Sequence, residues 1–162
     1  MKRKFTFNLK TAAVGLMLIL NSSSFAQTVY DVISGSANHT SLTAAINAAG
    51  LDGALQDINA TYTVFAPDNA AFDDFAAQLG VTVADLLLLP EADLQEVLLY
   101  HVLDVEVGSD AVTNGATVTP LNPANTLKLT VDGTAVFANQ AQVNAADLQG
   151  TNGVVHSVNA VV

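Results

Sequence analysis

The sequence predicts a single α+β domain over residues 27–162, with its helices mainly in the N-terminal half. Three observations carry that expectation. From Thr28 to about Leu99, apolar residues recur at helical spacing behind capping residues. After Leu103 the period shortens to the alternation of half-buried strands. No repeat, charge block or low-complexity linker divides the chain.

The helices read in order. Thr28 and Asp31 form a capping box ahead of a short helix carrying Val29, Val32 and Ile33. Ser41 caps a second helix, whose Leu42, Ala45, Ile46 and Ala49 share one face before Gly50 stops it. Asp68 caps a third, with Phe72, Phe75, Ala76 and Leu79 on one face and Gly80 just beyond. Thr82 and Asp85 form a box before the run Leu86 to Leu89, which Pro90 interrupts; Asp93 and Glu96 form another around Leu94, Val97 and Leu98.

In the second half, Leu103, Val105 and Val107 alternate with Asp104 and Glu106 as a strand. Val118 to Leu121 is a short segment that Pro120 confines to an edge or an end. Leu127, Leu129 and Val131 alternate with polar neighbours, and Asp132-Gly133 supplies the positive φ angles of a tight turn into Ala135 and Phe137. Val154 to Val162 reads as a last, β-branched strand.

Charge restricts where and on what such a domain acts. The 162 residues hold 15 acidic and 5 basic side chains and no cysteine. Lys2, Arg3, Lys4 and Lys10 precede an apolar run from Thr11 to Leu20 and the small-residue stretch ending Ser24-Phe25-Ala26. That succession is a secretory signal peptide over residues 1–26, cleaved after Ala26. The chain is thus expected to be exported to the periplasm, cell surface or medium. The rest of it has no apolar run near the ~18 residues of an integral span. From Gln27 onward only Lys128 opposes 15 acids, a formal charge of 1 − 15 = −14. Such a surface repels phosphate and excludes nucleic acid as a partner. Without cysteine there is no disulfide frame, thiol nucleophile or thiolate zinc site.

Three segments carry a family resemblance. Thr63-Val64-Phe65-Ala66-Pro67-Asp68-Asn69-Ala70-Ala71-Phe72 resembles the first signature box of the fasciclin domain family. Leu98-Leu99-Tyr100-His101-Val102-Leu103 is similar to its tyrosine–histidine segment, and Asn152-Gly153-Val154-Val155-His156-Ser157-Val158 to its second box. Ser157 and Asn159 depart from the larger or acidic residues usual there. The resemblance implies a wedge-like β-sandwich flanked by short helices, found in secreted and cell-surface adhesion proteins, with no shared catalytic chemistry. Phe65, Phe72 and His156 are then expected to converge on a common interior.

Candidate site residues follow, each with two readings. His101 continues the apolar stripe begun at Leu94, as a neutral core histidine bonded to backbone. Alternatively it joins an outermost Tyr100 in the adhesive surface that the resemblance implies. Asp147-Leu148 matches the aspartate–aliphatic pair of the family's integrin-recognition motif, or is an ordinary turn in which Asp147 accepts backbone N–H groups. His156 lies on one face of the last strand, and His39 in a polar loop with no special role. No calcium loop, zinc spacing, phosphate loop or nucleophile elbow is present, so no metal, cofactor or enzyme activity is expected. The leading expectation is an adhesion or matrix-binding module that recognises an extracellular protein, a glycan or itself. The alternative is a binding protein for a small apolar ligand held between helices and sheet.

Self-repulsion among 14 net negative charges is screened beyond about 8 Å at physiological ionic strength. The melting temperature is therefore expected to rise from low salt to about 1 M NaCl in a thermal titration. A flat or falling profile would count against charge self-repulsion as a constraint on this fold.

Overall fold

The computed structural model describes residues 27–162; the expected export signal, residues 1–26, lies outside the described residues. Six α-helices are described: α1 (Val29–Ser34), α2 (Thr40–Ala48), α3 (Asp52–Leu55), α4 (Asn69–Leu79), α5 (Val83–Leu86) and α6 (Glu91–Tyr100). The strands are β1 (Tyr62–Pro67), β2 (Val102–Leu103), β3 (Thr117–Val118), β4 (Leu127–Asp132), β5 (Ala135–Ala138), β6 (Ala141–Gly150) and β7 (Gly153–Val158). They form one mixed sheet in the order β2-β1-β7-β6-β5-β4-β3, nearly closed into a sandwich.

At its centre β1 and β7 run parallel, in a register that places Val64 beside Val155 and Phe65 beside His156. Side chains of a strand alternate between faces, so this pair feeds two cores. On one face Val64, Ala66 and Val155 pack against Val29, Ile33, Leu42, Ile46, Phe72 and Leu98 of the helices. On the other, Phe65 and Val158 meet Leu103, Leu127, Leu129 and Ala138. Each fully buried Leu, Ile or Phe contributes about 1.5–3 kcal/mol of transfer free energy. The expected common interior of Phe65, Phe72 and His156 is therefore corrected. Phe65 and His156 stack at 5.6 Å on the sandwich side, whereas Phe72 belongs to the helical side.

The helix caps largely follow the sequence reading. Two of the three expected capping boxes form, at Thr28 with Asp31 and at Thr82 with Asp85, and the one expected at Asp93 with Glu96 does not. Asp68 accepts from Ala71 N–H, and Gly80 closes α4 in the left-handed conformation. Two starts differ. α2 begins at Thr40, ahead of Ser41, with no cap from its own sequence. Instead Asn69 Oδ1 accepts from Ser41 N–H at 3.0 Å and from the Thr40 hydroxyl at 3.1 Å. α6 begins at Glu91, directly after Pro90, so Asp93 sits inside the first turn, where its charge suits the helix dipole.

The strands depart further. The alternation after Leu103 does not continue as a strand, because Thr63 Oγ1 donates to Val105 O and accepts from Val107 N–H. One side chain there replaces the neighbouring ladder. The β4–β5 turn places its positive φ at Gly133 alone, with Asp132 already paired to Ala135. The last strand ends at Val158, short of the expected Val162, and residues 141–150 form a strand that no apolar alternation in the sequence marks.

Three buried histidines join elements. His101 is 2% exposed; its Nδ1 donates to Val97 O at 2.8 Å, and its Nε2 accepts from Val162 N–H at 2.9 Å. His156 Nε2 donates to Val107 O at 2.8 Å, while Nδ1 accepts from Asp147 N–H at 3.2 Å. The carbonyls can only accept and the amides only donate, which fixes both tautomers. His39, expected to be an unremarkable loop residue, is 4% exposed. Its ring lies 2.8 Å from Ser36 Oγ and 2.9 Å from Ser157 Oγ, so the small residue at 157 leaves room for it.

Burial lowers His101 to about 4, and lowers His39 as well. Because the folded values lie below the unfolded 6.5, the unfolded chain binds more protons as pH falls. The neutral-histidine contribution is thus whole above pH 6.5 and is lost towards pH 4, on the order of 3 kcal/mol for His101 alone. Urea unfolding at pH 7 and pH 4.5 is expected to show most of that loss. In a His101→Gln variant, which keeps a donor and an acceptor, the slope should be shallower. Equal stability at both pH values would remove the buried histidine from the acid response.

Candidate functional site

An open groove of about 640 Å³ with a mixed lining is bounded by α4, α6, the loop at residues 122–125 and residues 159–162. Helical spacing builds two of its walls. Asp74, Phe75 and Gln78 line it from α4, and Glu96, Val97 and Tyr100 from α6. In each helix the opposite face is committed to the core through Phe72 and Ala76, or Leu94 and Leu98.

Hydrogen bonds fix the frame. The Tyr100 hydroxyl donates to Thr126 O at 3.1 Å and accepts from the Asn139 amide at 3.1 Å. Asn139, at a φ of 54°, accepts Lys128 N–H through Oδ1 at 2.9 Å, so one turn residue locks the tyrosine to the hairpin. Asn122 Nδ2 donates to Glu96 O at 3.0 Å, and Asn159 Oδ1 accepts from Gln142 N–H at 2.8 Å. The groove is preorganised by amide contacts that no helical or strand periodicity announces.

The expected site residues separate. Tyr100 lines the groove, half-buried. His101 lies edge-on to it at 6.4 Å but faces the interior, bonded as described, so it supports the tyrosine and does not reach the surface. Asp147 and Leu148 line no part of this groove. Asp147 is exposed in an irregular stretch of β6, at a φ of 58°. Its carboxylate accepts from Ser109 N–H at 2.8 Å and from the Ser109 hydroxyl. Those bonds hold the carboxyl below its ordinary value. Leu148 is half-buried against the helical core.

The polar cluster at His39 does not resemble reactive machinery. His39 and Ser157 are hydrogen-bonded and Asp68 acts on the ring electrostatically, yet both side chains are buried beneath the helices. A nucleophile must reach substrate to act, whatever its partners. Among the described residues, no three His, Asp or Glu side chains gather to hold a metal. Between helices and sheet, Leu42, Ile46, Val64, Leu98 and Val102 surround an apolar void of about 30 Å³. That is room for one or two water-sized atoms, against roughly 300 Å³ or more for an ordinary ligand pocket.

Comparison with known proteins agrees with this architecture. The chain matches the Fasciclin domain over residues 37–162. It is 37% identical over 138 residues to Protein sll1483 of Synechocystis sp., covering 85% of this chain and 73% of that protein. It is 36% identical over 135 residues to the transforming growth factor-beta-induced protein ig-h3 of Sus scrofa; 83% of this chain corresponds to only 19% of that one. Among solved structures, a FAS1 domain pair from the insect cell adhesion molecule Fasciclin I shares the fold at a TM-score of 0.69 and 12% identity, over 84% of this chain and 50% of that one. Among the described residues, no helix is long and apolar enough to cross a membrane. With the sequence match spanning nearly all of the described domain and the fold shared beyond detectable sequence similarity, this chain belongs to the fasciclin domain family, a family associated with cell adhesion.

Proposed function

We propose that the chain is exported on removal of residues 1–26 and works outside the cytoplasm as an adhesion or matrix-binding module. It recognises an extracellular protein, a polysaccharide or another copy of itself without covalent chemistry. The observation that carries this reading is the groove around Tyr100: a large, hydrogen-bonded, amphiphilic recess on a domain whose buried polar groups are spent on holding its parts together. The insect neighbour is a cell adhesion molecule, in keeping with a role in attachment. Within this reading Tyr100 makes the contact and His101 positions it. Asp147 and Leu148 contribute to a surface only where Ser109 gives up its bonds to the carboxylate.

The test measures retention of the purified protein on matrix proteins, glycans and producer cells. Binding is expected on at least one of these, with at least a tenfold loss in Tyr100→Ala at unchanged secondary structure. No retention on any surface, or full retention in Tyr100→Ala, would contradict the proposal.

A further inference from the structure

We propose that the Tyr100 groove is a glycan site selective for neutral or amino-sugar chains. This rests on the reading that the domain works by surface recognition, and it names the chemistry of the ligand.

The argument starts from unspent polar groups. Asp74 and Glu96 place one carboxylate on each helical wall, and neither side chain takes part in a hydrogen bond among the described residues. Gln78 and Asn125 add amides that are likewise uncommitted. A carboxylate offers only acceptors, whereas an amide offers both donors and acceptors. Adjacent sugar hydroxyls, each donor and acceptor at once, satisfy such a mixed set together. Hydrogen bonds to the charged carboxylates are the stronger ones. Phe75 and Tyr100, both half-buried, supply the apolar surface on which the C–H face of a pyranose rests.

Size and shape agree. About 640 Å³ falls inside the ordinary range of roughly 300–1,000 Å³ for small-molecule sites. The groove is open and bordered by loops, which suits a chain lying along it better than a molecule enclosed by it. Charge then selects among glycans. No lysine or arginine lines the groove among the described residues. The chain from Gln27 onward carries a formal −14. Uronic-acid and sulfated chains are repelled, which is specificity through exclusion. An amino sugar gains from the same two carboxylates and from a cation over the Tyr100 ring.

The experiment titrates the protein with cellohexaose, xylohexaose, mannohexaose, chitohexaose and chitosan hexamer, with oligogalacturonate as the anionic control. Calorimetry gives affinity, and amide chemical shifts give location. At least one neutral or amino-sugar chain is expected to bind, with shifts confined to the groove lining: α4, α6, residues 122–125, Asn139 and residues 159–162. Asp74→Ala and Gln78→Ala should each weaken that binding at least fivefold while melting unchanged, whereas Asp132→Ala in the distant β4–β5 turn should leave it intact. Oligogalacturonate binding as well as the others, shifts elsewhere, or no binding by any of the panel would overturn the assignment. Retention on a matrix protein with no glycan bound would overturn the glycan site and leave the adhesion reading standing.

Discussion

Parallel pairing of β1 with β7 is the contact on which both cores depend. Two strands distant in sequence lie side by side over six residue pairs, from Tyr62 beside Gly153 to Pro67 beside Val158. At the start of β7 the pairing leaves no room for a side chain. Gly153 has a φ of 141°, and a Cβ placed there would stand 1.9 Å from Tyr62 O, well inside any van der Waals distance. The residue before it ties in α1. Asn152 is buried, accepts from Val29 N–H at 2.8 Å and donates to Leu55 O and Asp57 O at 2.9 and 3.0 Å. Its backbone oxygen takes Tyr62 N–H. One Asn-Gly dipeptide thus satisfies the first free N–H of α1, the carbonyls of Leu55 at the end of α3 and of Asp57 after it, and the entry of β1.

Everything near the surface inherits its position from that junction. The helical core fixes α4 and α6 against β1 and β7, and the sandwich core fixes the β4–β5 hairpin on the other face. The groove lies where these layers meet: Tyr100 leaves α6 and reaches Thr126 and Asn139 on the hairpin side. Beneath it His101 binds Val162. A change in the sheet would therefore be felt in the groove without touching any of its lining residues. Binding and stability separate most cleanly at exposed side chains such as Asp74 and Gln78, which take part in no hydrogen bond among the described residues.

Much of the fold was legible in the sequence because its signals are local. Capping boxes at Thr28 and Thr82, the Asp68 cap and the Gly80 stop need only neighbours three or four residues away. β6 escaped notice because Ala141 to Gly150 is poor in β-branched residues and its register shifts twice; β7 imposes the strand from outside. The cap of α2 escaped because Asn69 supplies it from another helix. For the same reason His39 looked inert: its partner Ser157 is 118 positions away. Of the site, Tyr100 was readable through its segment's likeness to the family. The groove walls were not, since Asp74, Glu96 and Asn125 become neighbours only through tertiary packing.

The most direct measurement of the central claim compares two glycines with positive φ. Gly80 has a φ of 70° and open space where a Cβ would go; Gly153 has the Tyr62 backbone there. Gly80→Ala carries only the left-handed backbone cost of about 1–2 kcal/mol. Gly153→Ala must also push β7 away from β1, and the expected loss in denaturant unfolding exceeds ~4 kcal/mol or abolishes folding. Equal losses at the two positions would mean that the β1–β7 junction yields freely, and the two cores would then need another origin.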